Sequence, residues 1–134
     1  MNMPEGYHTA TPYLMYRDAS GAFDFIKTVF GAVERMRNLD DTGAIRHAEF
    51  TIGDSAFMLA QETPAFAELR SIEAFGGSPV QIFLYLDDVD AIAAKAVAAG
   101  ATLRYPLEEK PYGRSCGFID PYGLTWWVTS PPKA

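Results

Sequence analysis

Apolar residues recur at helical spacing between Ala19 and Phe30, where Ala22, Phe23, Phe25, Ile26, Val29 and Phe30 fall on one face. Asp18 stands at the N-cap position, and Gly31 suits the left-handed residue that ends a helix. A second helix is predicted over about Asp88 to Ala99, capped by Asp87 or Asp88 and closed by Gly100. Its buried stripe, Ile92, Ala93, Ala96 and Val97, is made of small residues, so it must lie close to whatever it covers.

The two helical segments are copies at a constant offset of 69 residues: Tyr16 matches Tyr85, Asp18 matches Asp87, Gly31 matches Gly100 and Ala32 matches Ala101. Each helix follows a strand-like run, Thr9 to Tyr16 and Val80 to Leu86, and precedes three more. In the first copy these are about Val33 to Leu39, Ile45 to Ile52 and Ala56 to Ala60; in the second, Thr102 to Leu107, Ser115 to Ile119 and Thr125 to Thr129. The breaks fall at turn residues, among them Gly53-Asp54 and Asp120-Pro121-Tyr122-Gly123. The reading is α+β: one domain over 1–134 built of two βαβββ modules, about 7–62 and 79–130. Between them lies a linker over about 63–78 that holds one short helix near Ala65 to Ser71. Mixed curved sheets then surround a concave cavity, with the helices on the convex side.

Alternation assigns the faces. Ile82, Leu84 and Leu86 suit the helix side, so Gln81, Phe83 and Tyr85 turn to the concave side; Leu14 and Tyr16 pack under the first helix, leaving Thr11, Tyr13 and Met15 opposite. In the third run Ala48, Phe50 and Ile52 form the apolar set, which turns Ile45, His47, Glu49 and Thr51 the other way. Phe57 is counted with the concave aromatics. In the last run Trp126 and Val128 belong to the core, and Trp127, with Thr125 and Thr129, faces the cavity. Arg114 stands at the start of the seventh run, where a cation at the cavity rim could meet an anionic or carbonyl ligand. Aromatics with a few polar groups are the usual lining of a small-molecule site.

Composition narrows the partners. With 49% apolar residues among 134, the chain can fill an ordinary core. A net charge of -6 with its basic residues scattered argues against nucleic acid, and no apolar stretch approaches the length of a membrane span. No basic region with an apolar run opens the chain, which points to the cytoplasm. The lone Cys116 forms no internal disulfide and is read as packed.

The duplicated plan and several of its stretches resemble the glyoxalase, bleomycin-resistance and extradiol-dioxygenase family, the vicinal-oxygen-chelate superfamily, and within it the PhnB-like branch. The residues that carry the likeness are Gly6 to Leu14, Phe23 to Ala32, His47-Ala48-Glu49-Phe50 with Ile52-Gly53-Asp54, Leu84 to Asp90, Ala98 to Thr102, and Tyr112 to Ser115 through Asp120-Pro121-Tyr122-Gly123 to Trp127. In metal-dependent members, four concave side chains hold a divalent ion that polarises a substrate with adjacent oxygens. Aligning on Asp18, the Gly53 turn, Asp87 and Asp120 places Thr11, Leu59, Gln81 and Trp127 there. Only Gln81 is a familiar ligand type, and Met58 and Ala60 beside Leu59 are no better, so no metal and no other cofactor is expected. The resemblance also implies a homodimer, which covers open sheet edges and could form by exchange of modules.

Two functions follow. One is metal-independent binding of a small organic ligand in an aromatic cavity formed by Thr11, Tyr13, Phe57, Leu59, Gln81, Phe83, Tyr85, Arg114 and Trp127. The other is a lyase, isomerase or dioxygenase-like enzyme that works through acid-base chemistry of His47 and Glu49, two apart on one strand face, or through a relocated divalent metal.

Overall fold

The computed structural model describes residues 1–133, which divide into two compact units, Met1–Phe75 and Gly76 to the carboxyl end. The first unit runs β1 (Tyr13–Tyr16), α1 (Ala19–Phe30), β2 (Val33–Leu39), β3 (Ile45–Ile52) and β4 (Ser55–Gln61), then a 3₁₀ turn (Pro64–Phe66) and α2 (Ile72–Phe75). Its sheet has the order β1-β4-β3-β2, with β1 parallel to β4 and the other pairs antiparallel. The second unit repeats the plan with β5 (Ile82–Tyr85), α3 (Val89–Ala98), β6 (Thr102–Lys110), β7 (Gly113–Ile119) and β8 (Thr125–Ser130) in the order β5-β8-β7-β6. This is the α+β, twice-βαβββ architecture that the 69-residue repeat predicts. Of the expected linker helix over 65–71 only a 3₁₀ turn at its start forms, and α2 follows it, started by Ser71, whose Oγ accepts from the Ala74 N–H.

Helix α1 begins and ends where its caps require. Asp18 accepts from the Gly21 N–H at 3.0 Å, and Gly31 takes φ 67° while donating to the Lys27 carbonyl. Its apolar stripe is buried against the sheet, with Phe23 and Phe50 ring centroids 5.2 Å apart. In α3 the N-cap residue is Asp88, but at φ 62° its carboxylate caps nothing. Ser130 at the end of β8 takes over: its Oγ accepts from the Val89 N–H and donates to the Leu86 carbonyl.

Two registers in the first unit differ from strict alternation. The two-residue turn Gly53-Asp54 pairs Ile52 with Ser55, so Phe50 lies opposite Phe57 and Ala48 opposite Leu59. Phe57 and Leu59, expected on the concave wall, are therefore core residues on the helix side; Phe57 stacks on Phe50 at 5.3 Å, and Leu59 is wholly buried. Met58 takes the opposite face, level with Tyr13 on β1 and Glu49 on β3. In β3, Asn38 pairs with His47 and Leu39 with Ile45, which leaves Arg46 as an extra, unpaired residue. This β-bulge returns Ile45 to the core, at 1% exposure, although alternation had turned it outward.

In the second unit the assignments of β5 and β8 agree with the sequence reading: Leu84, Trp126 and Val128 are buried on the helix side, while Phe83 and Tyr85 are exposed and Trp127 is half-buried on the other. No helix of the described residues is long and apolar enough to cross a membrane.

Candidate functional site

The open face of the second sheet is built from rows of residues that the strand register sets side by side. One row reads Tyr105, Gly117, Trp127 and Phe83 across β6, β7, β8 and β5; the next places Ser115 and Thr129 beside Tyr85. Small residues thus make a floor between aromatic walls. Gly117 is what allows the Trp127 ring to lie flat, because a Cβ there would come within 2.7 Å of two indole carbons and 3.0 Å of the Tyr105 ring. Trp127 stacks on Tyr105 with centroids 4.6 Å apart and planes 27° apart, and its Nε1–H donates to Gln81 Oε1 at 2.6 Å. Phe83 contacts Tyr85 edge-on at 5.2 Å and Tyr112 at 6.3 Å. A cleft of about 220 Å³ opens beside Trp127, bounded by Tyr105, Tyr112 and Ser115, with Glu108 and Lys110 ion-paired at its edge.

The sequence reading had Gln81, Phe83, Tyr85 and Trp127 on this face, and the geometry brings them together. It missed Tyr105 and Tyr112, which sit on a strand and turn without a clean apolar alternation, and it missed Gly117, whose signal was a glycine inside a strand. Arg114 does not belong to this face. It shares the side of Cys116 and Phe118, where its guanidinium forms a two-pronged ion pair with Asp90 on α3 and a third bond to Glu109. Those carboxylates hold its charge and raise its pKa, so the expected rim cation is already engaged by the helix.

The first unit carries a hydrogen-bonded chain on the equivalent face. Tyr13 Oη lies 2.7 Å from His47 Nδ1, His47 Nε2 lies 2.7 Å from Glu49 Oε2, and the Tyr7 hydroxyl donates to Glu49 Oε1. The Arg35 guanidinium packs 4.8 Å from the Tyr7 ring centroid and donates to the Glu5 carbonyl. Hydrogen bonds from Tyr7 first and His47 second hold the Glu49 carboxyl below the ordinary glutamate range, so it is a carboxylate at neutral pH. In a neutral His47 the Nε2–H therefore donates to Glu49, and Nδ1 accepts from Tyr13. Burial, then the Glu49 charge, raises the Tyr13 phenol, which keeps its proton. The chain is a phenol held by an imidazole held by a carboxylate, with half of the Tyr13 surface exposed. Thr11 lies ahead of β1, half-buried, and makes none of these bonds.

The corrected register also decides what the metal positions hold. Met58, not Leu59, is the β4 residue of that face, so at these positions the first unit offers a Thr11 hydroxyl and a thioether, and the second a Gln81 oxygen that accepts from the indole, and the indole itself. His47 and Glu49 are bonded to each other and to two tyrosines. Among the described residues no three His, Cys, Asp or Glu side chains gather as a ligand set. Neither unit's pair at these positions is a ligand set of the kind that holds a divalent ion.

The chain belongs to the Glyoxalase/Bleomycin resistance protein/Dioxygenase superfamily, whose family model matches residues 7–128. It is 36% identical over 126 residues to the uncharacterized protein Rv0887c of Mycobacterium tuberculosis, covering 92% of this chain and 74% of that one. Among solved structures, TioX from a Micromonospora species is similar at 28% identity and a TM-score of 0.68, over 95% of this chain and 98% of TioX. TnmS3, an antibiotic binding protein from a Streptomyces species, shares the fold at 23% identity and a TM-score of 0.69, over 94% of this chain and 97% of TnmS3.

Proposed function

We propose that this chain is a metal-independent small-molecule-binding protein of the PhnB-like branch, and that its ligand is a flat organic molecule held against the aromatic face of the second unit. The observation that carries this is the Trp127 indole lying flat over Gly117, locked by Tyr105 and Gln81, beside a cleft with a small-residue floor. A ring fixed in this way contributes area and stacking without losing rotamer freedom on binding. TnmS3, which shares the fold, is itself an antibiotic binding protein, in line with a binding role for this architecture. A thermal-shift screen of planar metabolites and antibiotics identifies candidates, and tryptophan fluorescence then follows their titration. A ligand that raises the melting temperature and quenches the wild type but not Trp127→Phe supports the reading; quenching unchanged in Trp127→Phe defeats it. Elemental analysis of protein purified without chelator tests the metal-free part, and near one Zn, Ni, Mn or Fe per chain overturns it.

A second reading is favoured by the Tyr13–His47–Glu49 chain, which is arranged as an acid-base relay on an exposed phenol. On this reading the protein is a lyase, isomerase or dioxygenase-like enzyme in which His47 moves the proton and Glu49 orients it, or in which a metal binds at this pair. Loss of turnover in His47→Ala with ligand binding retained separates it from pure binding.

A further inference from the structure

A second cleft, of about 250 Å³, lies wholly within the first unit, and no part of the aromatic-face reading draws on it. Its apolar body comes from Met15, Phe66 and Leu69, with the Tyr13 ring on its wall. Its single charged lining residue is Arg46, and that placement is a product of the backbone. Arg46 has the parity of the core residues Ala48, Phe50 and Ile52, so regular pairing would turn it toward α1; the bulge between Ile45 and His47 turns it into the cleft instead. Among the described residues Arg46 makes no ion pair. The acid nearest in influence is Asp40, whose carboxylate is already held by the Thr42 N–H and hydroxyl and by the Ala44 N–H.

The other polar side chains of the cleft are partly engaged by the first unit itself. Gln61 Oε1 accepts from the Ala19 N–H, Thr63 Oγ1 accepts from the Ala65 N–H, and the Tyr13 hydroxyl proton is directed to His47. The donors that the cleft offers are the guanidinium fork, the Gln61 amide NH₂ and the Thr63 hydroxyl proton. An apolar pocket with one unpaired guanidinium and two neutral donors is complementary to an amphipathic monoanion. A single cation with no phosphate cradle around it suits a carboxylate rather than a phosphate dianion.

We infer that this cleft is a carboxylate-binding subsite, in which Arg46 receives the carboxylate of a small aromatic or alkyl acid whose apolar body lies on Met15, Phe66 and Leu69. The probe is 3-phenylpropanoate, compared with its neutral isostere 3-phenylpropanamide, on the full chain by calorimetry and by amide-resolved NMR titration. The carboxylate is expected to shift the backbone amides of Arg46, Gln61 and Thr63 and to bind about tenfold more tightly than the amide, the scale of one charge-assisted contact. Arg46→Gln should erase that tenfold difference, and Arg46→Lys, which keeps the charge but loses the fork, should retain part of it. Arg46 is exposed, so these variants keep the wild-type melting temperature, and Leu69→Ala should weaken both probes together. Equal affinity of acid and amide for the wild type, an undiminished preference in Arg46→Gln, or no shift at these three amides at millimolar carboxylate each overturns the assignment.

Discussion

Gly117 is the residue on which the aromatic face depends most directly, and its φ is not in the left-handed region, so its role is steric rather than conformational. Gly117→Ala forces a methyl group into the Trp127 ring, and overpacking of this kind costs about 1–3 kcal/mol. Its expected outcome is a lower urea midpoint together with a changed near-UV circular dichroism spectrum, as Trp127 leaves Tyr105. A spectrum identical to wild type would show that the indole is not held by this contact. Glu49 makes a separate prediction in pH. Its folded pKa is depressed, so the stability it contributes is fully present above its ordinary value of 4.5 and is lost as pH falls through the depressed folded value. Tyr7, raised by burial and then by its bond to Glu49, acts oppositely, its contribution being present below 10 and lost as pH rises through its folded value. Glu49→Gln should therefore narrow its stability gap from wild type as pH is lowered below 4.5, read from urea midpoints across a pH series. A gap constant down to pH 2 would mean that the Tyr7 and His47 bonds add nothing specific to the charged form. A glycine inside a strand marks Gly117 in the sequence, but neither the ring that it admits nor the Tyr7 bond is legible there, since each depends on which side chains the finished sheet sets next to one another.

At the scale of the element, the strands show where sequence patterning informs and where it fails. In β5 and β8, purely aliphatic or core aromatic positions alternate with polar or exposed ones, and the face assignment reads directly from the chain. In β4 the run Ala56-Phe57-Met58-Leu59-Ala60 is apolar throughout, so alternation carries no information about which side is which. The information lay instead in the turn: two residues between Ile52 and Ser55 oblige Phe57 to face the same side as Phe50, which alternation in β3 had already assigned to the core. The bulge at Arg46 had no such signal, because a single inserted residue leaves the local composition unchanged. Strand β8 offers the sharpest test of face assignment through its adjacent tryptophans. Trp126 is wholly buried and its Nε1–H donates to the buried Asp120 carboxylate at 2.9 Å, so Trp126→Ala opens a cavity and removes that hydrogen bond, at about 3–5 kcal/mol. Trp127→Ala should keep the fold and weaken a ligand of the aromatic face several-fold, in keeping with about 0.5–1.5 kcal/mol for stacking. Denaturation midpoints and ligand titrations on the two variants check this, and the reverse pattern would invert the register of β8.

For the molecule as a whole, the 69-residue internal repeat made the architecture the most legible feature, because caps, turns and alternating strands recur in the same order in both copies and each copy constrains the other. What the repeat could not supply is the chemistry of each face, since the two units have diverged there: the first carries a phenol-imidazole-carboxylate chain, the second a stacked aromatic row. The repeat also leaves surface that a ligand cannot account for. Val33 and Leu39 on edge strand β2 are more than half exposed, as are Phe75 and Val80 between the units' sheets in sequence. Edge strands flanked by exposed aliphatic and aromatic side chains invite pairing with another chain, and a second copy is the partner present at equal concentration in every preparation. A symmetric homodimer is therefore the expected solution state, giving by light scattering about twice the chain mass of 14.7 kDa at micromolar concentration. Like charges on the edge should disfavour it, so Val33→Lys with Leu39→Lys, both on exposed positions, is expected to shift the mass toward the monomer while leaving far-UV circular dichroism unchanged. A wild type that scatters as a monomer at that concentration would count decisively against the dimer, and a double variant that remains dimeric would move the interface away from β2.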